Sequence, residues 1–413
     1  MHELSEAKLA ELFPKGYSRL RDDVYTDLER VPEHFIKHVH HIAVYAGNHG
    51  EGIVRSTRPE RLLRNSILTP SLGASIICSK YVNAIPLNRL SEEYLRLGVD
   101  ISRQTMANWV INLHDRYLYR IYNEMKKKLF SAELIHCDET PFTVVNDGRG
   151  ANTKSYMWVY HTYDRYGSKP VYIYEYNAHR SSKVPRDFLE GYRGVLVTDG
   201  YQVYHKIAKE RPDELVVAGC WAHAKRKFAE IVKSSGKAAS SDFVSAEAVS
   251  RIAAIYHVDN MCKKASDEKR LKNRIESVAP LVDAYFTWLK GIDTTAMDKS
   301  GKLYKAINYS LNQEEYLRRF LENPIIPLDN NDAERSIKKF CVGKHSWHVT
   351  ATPDGATASA IMYSIVETAK ANGLKPYEYV KYVLEELLTG TDADKLVPWA
   401  EDLPENIKEY DFN

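Results

Sequence analysis

Three carboxylates in this 413-residue chain have the type and placement for divalent-metal chemistry. Asp138, or its neighbour Glu139, follows the apolar run LIHC; Asp199 follows VLVT; Glu334 lies in NNDAERSIKKF, near the start of a late helical stretch. Acids are depleted in strands and costly to bury unpaired, so such placement needs a reason. If the two strands are neighbours, their carboxylates converge at one edge of a sheet. Three converging carboxylates form a hard oxygen-donor set suited to Mg²⁺ or Mn²⁺. Two such ions activate an attacking hydroxyl and stabilise the leaving oxygen in phosphoryl transfer. Successive strand residues face opposite sides, so only one of Asp138 and Glu139 can join Asp199, and the chemistry alone suits either. An acid after a strand also serves as a plain turn or cap residue, which is the competing account of Asp199 before Gly200.

The elements that would carry these acids follow from the apolar period. Over 131–230, ELIHCDETPFTVV reads as a strand ending in its acids and Pro141, followed by strands SYMWVYHTYD and PVYIYEYN. SSKVPRDFLEGY is a short helix, GVLVTDG and ELVVAGC are apolar strands, and WAHAKRKFAEIV is helical. Short turns between the first strands predict antiparallel pairing; helices between the later ones predict parallel crossovers. The fold class is α/β with a mixed five-stranded sheet. Residues 231–325 hold no strand pattern and read as an all-helical insertion. Residues 326–372 return to the core with a helix capped by Asp329 or Asn330, then the amphipathic helix ATASAIMYSIVETAKANG; residues 373–413 form a helical C-terminal segment.

Upstream, residues 1–85 read as an α+β region. Its His34, His38, His40, His41 and His49 fall in a strand-like alternation that sends neighbours to opposite faces, which favours surface histidines over a metal cluster. Residues 86–130 read as helical. Leu87, Leu90, Tyr94, Leu95 and Leu97 keep helical spacing, Gly98 stops the helix, and Ser102 caps a second one. Helix, glycine turn and capped helix is the helix-turn-helix pattern, which would place Arg103, Gln104 and Asn108 against DNA; a plain helical hairpin has the same pattern.

Composition narrows the classes. With 44% hydrophobic and 27% charged residues, the chain is neither a disordered tail, a collagen nor a coiled-coil rod. It has no apolar run of membrane-spanning length and no signal-peptide pattern at its start, which predicts a cytoplasmic protein without a membrane partner. Five scattered cysteines without a CxxC pair argue against a disulfide framework and a zinc ribbon. A net charge of +2 leaves any nucleic-acid contact to local basic patches.

HCDETPF, LVTDGYQVYH, GCWAHAKRKF, DNNDAERSIKKFCVGKHSW and ASAIMYSIVETAKANGLKPYEYV resemble successive blocks of the IS66-family transposases, and SKYVNAIPLNRLSEEYLRLGVDISRQTMANWV resembles the segment before their catalytic core. The resemblance runs in order from about residue 65 to 400. It implies a ribonuclease-H-like core with a DDE triad and a helical insertion before the glutamate. By block position the triad is Asp138, Asp199 and Glu334, with Glu139 turned away or in support. The implied activity is two-metal DNA cleavage and strand transfer on double-stranded element ends and target, by a homo-oligomer on the bacterial nucleoid, with companion transposition proteins in some cases. Cys220 and His223, spaced C-x-x-H, resemble a signature of several DDE families and are expected to support the site rather than hold zinc. Lys225, Arg226, Lys227, Arg335, Lys338 and Lys344 flank the triad and are expected on DNA phosphates rather than on a merely solvated face. Lys338, four residues after Glu334, is expected to pair with it or reach a phosphate. Trp221 and Trp347 suit base stacking or, more simply, core packing. Many family members also carry an N-terminal Cys-rich zinc module, and no such cysteines occur here. That departure keeps two other accounts open, a catalytically silent DNA-binding remnant and a nuclease on the same core.

Overall fold

The computed structural model describes residues 4–21, 27–28, 33–49, 52–150, 153–162, 169–234 and 243–408. Contacts divide the chain into two units, Met1–His41 and Ile42–Asn413. The first contains helix α1 (Glu6–Leu12), capped by the Ser5 side chain accepting from the Lys8 N–H, and none of its helical residues is buried. The strand expected through His34–His41 does not form: these residues are irregular and exposed, so their alternation has no sheet to bury against. Among the described residues no three His, Cys, Asp or Glu side chains are grouped to hold a metal, these histidines included.

The second unit opens with an exposed antiparallel hairpin, β1 (Val44–Ala46) and β2 (Ile53–Arg55). Helices α2 (Pro70–Tyr81), α3 (Leu87–Arg96) and α4 (Arg103–Leu113) then pack on one another. Gly98 at φ +83° and the Ser102 cap, which accepts from the Thr105 N–H, separate α3 from α4 as their residue types require. A π turn (His114–Leu118) leads into α5 (Tyr119–Phe130).

The core sheet comprises β3 (Leu134–Val144), β4 (Lys154–Thr162), β5 (Tyr172–Asn177), β6 (Gly194–Val197) and β7 (Leu215–Ala218), in the order β5-β4-β3-β6-β7. The β3–β4 and β4–β5 pairs are antiparallel and the β3–β6 and β6–β7 pairs parallel, as the connection lengths dictate. Helix α6 (Lys183–Phe188) connects β5 to β6, α7 (Gln202–Glu210) connects β6 to β7, and α8 (Trp221–Ser234) follows β7. Strand β3 does not end at its acids. It runs on through Pro141 to Val144, because its second edge is unpaired between β6, which stops at His136, and a short sixth strand that starts beside Thr143. A residue without an N–H is tolerated on such an edge.

The insertion contains α9 (Phe243–Asn260), α10 (Asp267–Asn273), a π turn (Arg274–Val278), α11 (Ala279–Lys290), α12 (Lys302–Asn312) and α13 (Glu314–Arg318), with no strand among its described residues. It packs directly on the sheet: Tyr285, Phe286 and Ile307 join Leu134, Val195, Val197, Ala218 and Trp221 in one core. The opposite sheet face, with Ile135, Cys137 and Leu196, belongs to a second core shared with α5. After the insertion come α14 (Asn331–Trp347), the sixth strand β8 (Val349–Thr350), α15 (Pro353–Ala371) and α16 (Pro376–Thr389). Helix α15 reads as amphipathic in the sequence but is buried along nearly its whole length. It lies on the free edge of β5, where the Ser364 and Thr368 hydroxyls accept the N–H groups of Tyr174 and Tyr172 at 2.7 and 3.0 Å. A helix thereby closes an edge that would otherwise invite strand addition.

Arg274 ties the insertion to the segment leading into α14. It is fully buried, pairs with Asp259 at 2.7 Å, and donates to the Phe320 and Asn323 carbonyls at 2.6 and 2.9 Å. Truncating it leaves a buried carboxylate and two carbonyls short of donors. Arg274→Ala should therefore lower the unfolding free energy in a denaturant titration by about 3–5 kcal/mol; a loss below about 1 kcal/mol would mean that water replaces the guanidinium without penalty.

Candidate active site

The unpaired stretch of β3 between β6 and β8 is where the acids meet. Strands β3 and β6 pair Leu134 with Val195, Ile135 with Leu196 and His136 with Val197, a constant offset of 61 residues. The same offset carries Asp138 to the level of Asp199, two residues beyond the end of β6. Asp138 alternates with Leu134 and His136, on the face where Asn330 and Cys341 meet β3, and Asp199 lies near it in the turn beyond β6. Glu139 lies on the other side, in register with Trp158.

Asp199 sits in a tight turn. Its Oδ1 accepts the Tyr201 N–H at 2.9 Å, and its carbonyl accepts the Tyr309 hydroxyl of the insertion at 2.7 Å. Gly200 has φ +94°, and a Cβ there would come within 2.9 Å of the Tyr309 hydroxyl and 3.1 Å of Gln313, so the turn needs glycine on both counts.

Asp138 accepts the Glu139 N–H at 2.8 Å. Burial, with Glu139, Asp199 and Glu334 around it, pushes its carboxyl up to about 8. Burial and Asp199 also push Glu139 up to about 7, against the partial relief of Arg180, which donates to it at 2.7 Å and lies over the Tyr201 ring. Glu334, in the first turn of α14, is met by Arg226 of α8: one guanidinium nitrogen donates to both carboxylate oxygens at 2.6 Å. His223 Nδ1 is 3.6 Å from Glu334, beyond hydrogen-bonding reach, and burial holds the imidazole below its ordinary value.

The donor chemistry and charge fit a divalent cation. Hard oxygen donors on strand, turn and helix lie together, and burial with the neighbouring acids opposes the ionised form of Asp138, which a bound cation would favour. The carboxylates would still have to close on an ion, since among the described residues no three ligand side chains are grouped to hold one, and Glu334 would have to leave Arg226.

The other expected site residues spread more widely. Glu334 pairs with Arg226 from the facing helix, and Lys338 is exposed on α14, which leaves the phosphate alternative for it open. Cys220 is fully buried, its thiol accepts the Asn330 N–H at 3.2 Å, and burial pushes it up to about 12, which favours the thiol over the thiolate. Lys225 and Lys227 lie over the rings of Tyr256 and Tyr309. Arg335 pairs with Asp332, and Lys344 donates to the Pro141 carbonyl at 2.9 Å. On α4, Arg103, Gln104 and Asn108 are exposed, and Gln104 donates to Asn108 at 2.9 Å. Trp221 is a core residue, packed on Tyr285 and Phe286 with its N–H on the Leu317 carbonyl, and Trp347 packs on Tyr363. Sequence reasoning did not assign Tyr309 or Asn330 to the site. Tyr309 carried no signal; the run Asp329-Asn330-Asn331 did, because it offers three cap-forming side chains where one suffices.

An acid on a central strand, a second in the turn just beyond the neighbouring parallel strand and a third in the first turn of a helix packed on the central strand define an α/β protein with its carboxylates at a break in the sheet. Residues 65–358 match the family described as transposase IS66 family, and residues 364–399 match the IS66 C-terminal element. The chain belongs to the IS66 family of transposases. Among its relatives are uncharacterized proteins of Sinorhizobium fredii: y4qI, 29% identical over 90% of this chain and 70% of its own, and y4hP, 28% identical over 92% and 71%. Among the described residues no helix is long and apolar enough to cross a membrane.

The raised Asp138 carboxyl has a consequence for stability. An acid raised in the fold from 3.8 to about 8 contributes stability that is full below about pH 4 and is lost as pH climbs through about 8. Asn at this position mimics the protonated form. Metal-free Asp138→Asn should melt at the wild-type temperature in acid and at a higher temperature above pH 8; parallel melting curves across that range would show that the carboxylate carries no strain.

Proposed function

We propose that this chain is a DNA transposase that cuts and joins strands at the carboxylate cluster, with Asp138, Asp199 and Glu334 as its catalytic acids. The observation that carries the reading is the nearness of these residues, with Asp138 on β3, Asp199 in the turn just beyond its parallel neighbour β6 and Glu334 in the first turn of α14. The strand order, with three antiparallel strands followed by two parallel ones, supports a ribonuclease-H-like core interrupted by the helical insertion.

In cleavage, the oxygen of a water molecule attacks a phosphorus at the element end, the P–O bond to the departing 3′-oxygen breaks, and that oxygen leaves as a hydroxyl. In joining, the freed 3′-hydroxyl attacks a phosphorus of target DNA, and a target 3′-oxygen leaves. No covalent protein–DNA bond is needed. Asp138, Asp199 and Glu334 would hold two Mg²⁺ or Mn²⁺ ions, which when bound supply activation of the attacking hydroxyl and neutralisation of charge on the leaving oxygen. Arg226 holds the Glu334 carboxylate and, once released, would take a DNA phosphate, as would Lys225 and Lys227 on the same helix. Lys338, Arg335 and Lys344 extend that basic surface along α14. The helices of 86–130 offer Arg103, Gln104 and Asn108 to double-stranded DNA, and Glu139 and His223 support the acids from beside them. Acting on two element ends calls for at least two copies of the chain.

The test is a cleavage and joining assay on an element end with Mg²⁺. Asp138→Ala, Asp199→Ala and Glu334→Ala should each bring cleavage to background while still binding the same duplex, and Glu139→Ala should cut more slowly than wild type. Arg103→Ala combined with Gln104→Ala should weaken duplex binding and leave the fold intact. An active Asp138→Ala beside a dead Glu139→Ala would reverse the choice of strand face. Cutting without joining would make the protein a nuclease on this core.

A further inference from the structure

Asn330 stands at the N-cap position of α14 and is fully buried. Asparagine is favoured there because its oxygen accepts one of the helix's free N–H groups. Here it makes no such cap. Asp329 meets the first turn instead, accepting the Asn331 N–H at 3.2 Å. The Asn330 side chain reaches back to β3: its Oδ1 lies 2.7 Å from His136 Nδ1, and its Nδ2 donates to the Cys137 carbonyl at 2.8 Å. Its backbone N–H donates to the Cys220 sulfur, and its carbonyl accepts the N–H of Glu334 at 3.2 Å.

One residue therefore touches the peptide group leading into Asp138, the backbone of Glu334 and the cysteine that precedes the helix bearing Arg226. His136 and Cys137 are the last residue of β3 paired to β6 and the first beyond it, so the contact falls at the start of the gap. Only a side chain with one donor and one acceptor at this reach makes both bonds. Aspartate lacks the donor for the Cys137 carbonyl, and glutamine is one methylene too long.

We propose that Asn330 is a positioning residue that fixes the separation of Asp138 and Glu334 across the gap, so that the two close on the same ions. This rests on reading those acids as metal ligands. Asn330 itself is buried away from DNA, so its loss acts on metal affinity and on kcat and leaves KM for DNA unchanged.

The experiment compares wild type, Asn330→Ser and His136→Phe in the full chain. Mn²⁺ alone is titrated by water-proton relaxation, kcat and KM are measured on an element-end duplex, and circular dichroism checks the fold. Asn330→Ser should bind Mn²⁺ about 10- to 100-fold more weakly and lose a similar factor in kcat at fixed Mn²⁺, as outer partners of metal ligands do. Saturating Mn²⁺ should restore much of that kcat, with KM unchanged throughout. His136→Phe keeps a ring beside His161 and removes the Oδ1 bond; it should lose less, in the same two readouts, and it decides the matter if Asn330→Ser does not fold. A folded variant with wild-type Mn²⁺ affinity and kcat overturns the proposal, as does a loss confined to KM. Wild type that neither binds Mn²⁺ nor cuts overturns the metal reading of the site, and the proposal with it; wild type that does both, beside an unaffected variant, overturns the proposal alone.

Discussion

The constraint on which the rest of the structure depends is the repulsion among carboxylates gathered at a break in the sheet. Strand pairing would seal this region if β6 ran two residues further, but it ends at Val197, and Asp199 enters a glycine turn instead. Asp138 is buried at the gap with other acids near it, and burial first and those acids second push its carboxyl up. A fold tolerates such a cluster only when compensating charge is present. That compensation is partial: Arg226 takes Glu334, Arg180 takes Glu139, and Asp138 accepts a backbone N–H.

The surrounding structure holds the acids in place against that repulsion. On the Asp199 side the insertion supplies Tyr309, whose hydroxyl fixes the turn carbonyl, and α12 crowds Gly200. On the Glu334 side the buried chain from Cys220 through Asn330 to β3 pins the start of α14. Trp221 anchors α8 into the insertion core, and Arg274 anchors the insertion to the segment that feeds α14. The 231–325 segment is thus part of the machinery that sets the site, because its core is continuous with one face of the sheet.

Much of the fold was legible in the sequence because its signals are local. The strands from Leu134 to Ala218 are apolar or aromatic runs bounded by turn residues, and connection length gives their direction. Ser102 and Gly98 mark helix ends by side-chain chemistry alone. The misread elements depend on distant partners. Pro141 implied a strand end, but the edge of β3 it sits on has no neighbour to miss its N–H. Helix α15 hid a second function in Ser364 and Thr368, which satisfy a strand edge nearly 200 residues away. For the site, residue types and strand ends identified the acids to consider, and the choice of Asp138 over Glu139 rests on block position in the family resemblance. The partner of Glu334 lay beyond sequence reasoning: Lys338 is four residues away on the same helix, whereas Arg226 arrives from 108 residues upstream by helix packing.

The most direct measurement is a crystal structure of the chain with Mn²⁺ and element-end DNA, using the anomalous signal of manganese to place the ions. The account predicts manganese bound by Asp138, Asp199 and Glu334, with the Glu334 carboxylate released from Arg226 and Glu139 still paired to Arg180. Manganese ligated by Glu139, or DNA bound with Glu334 still held by Arg226 and no metal at the break in the sheet, would contradict it.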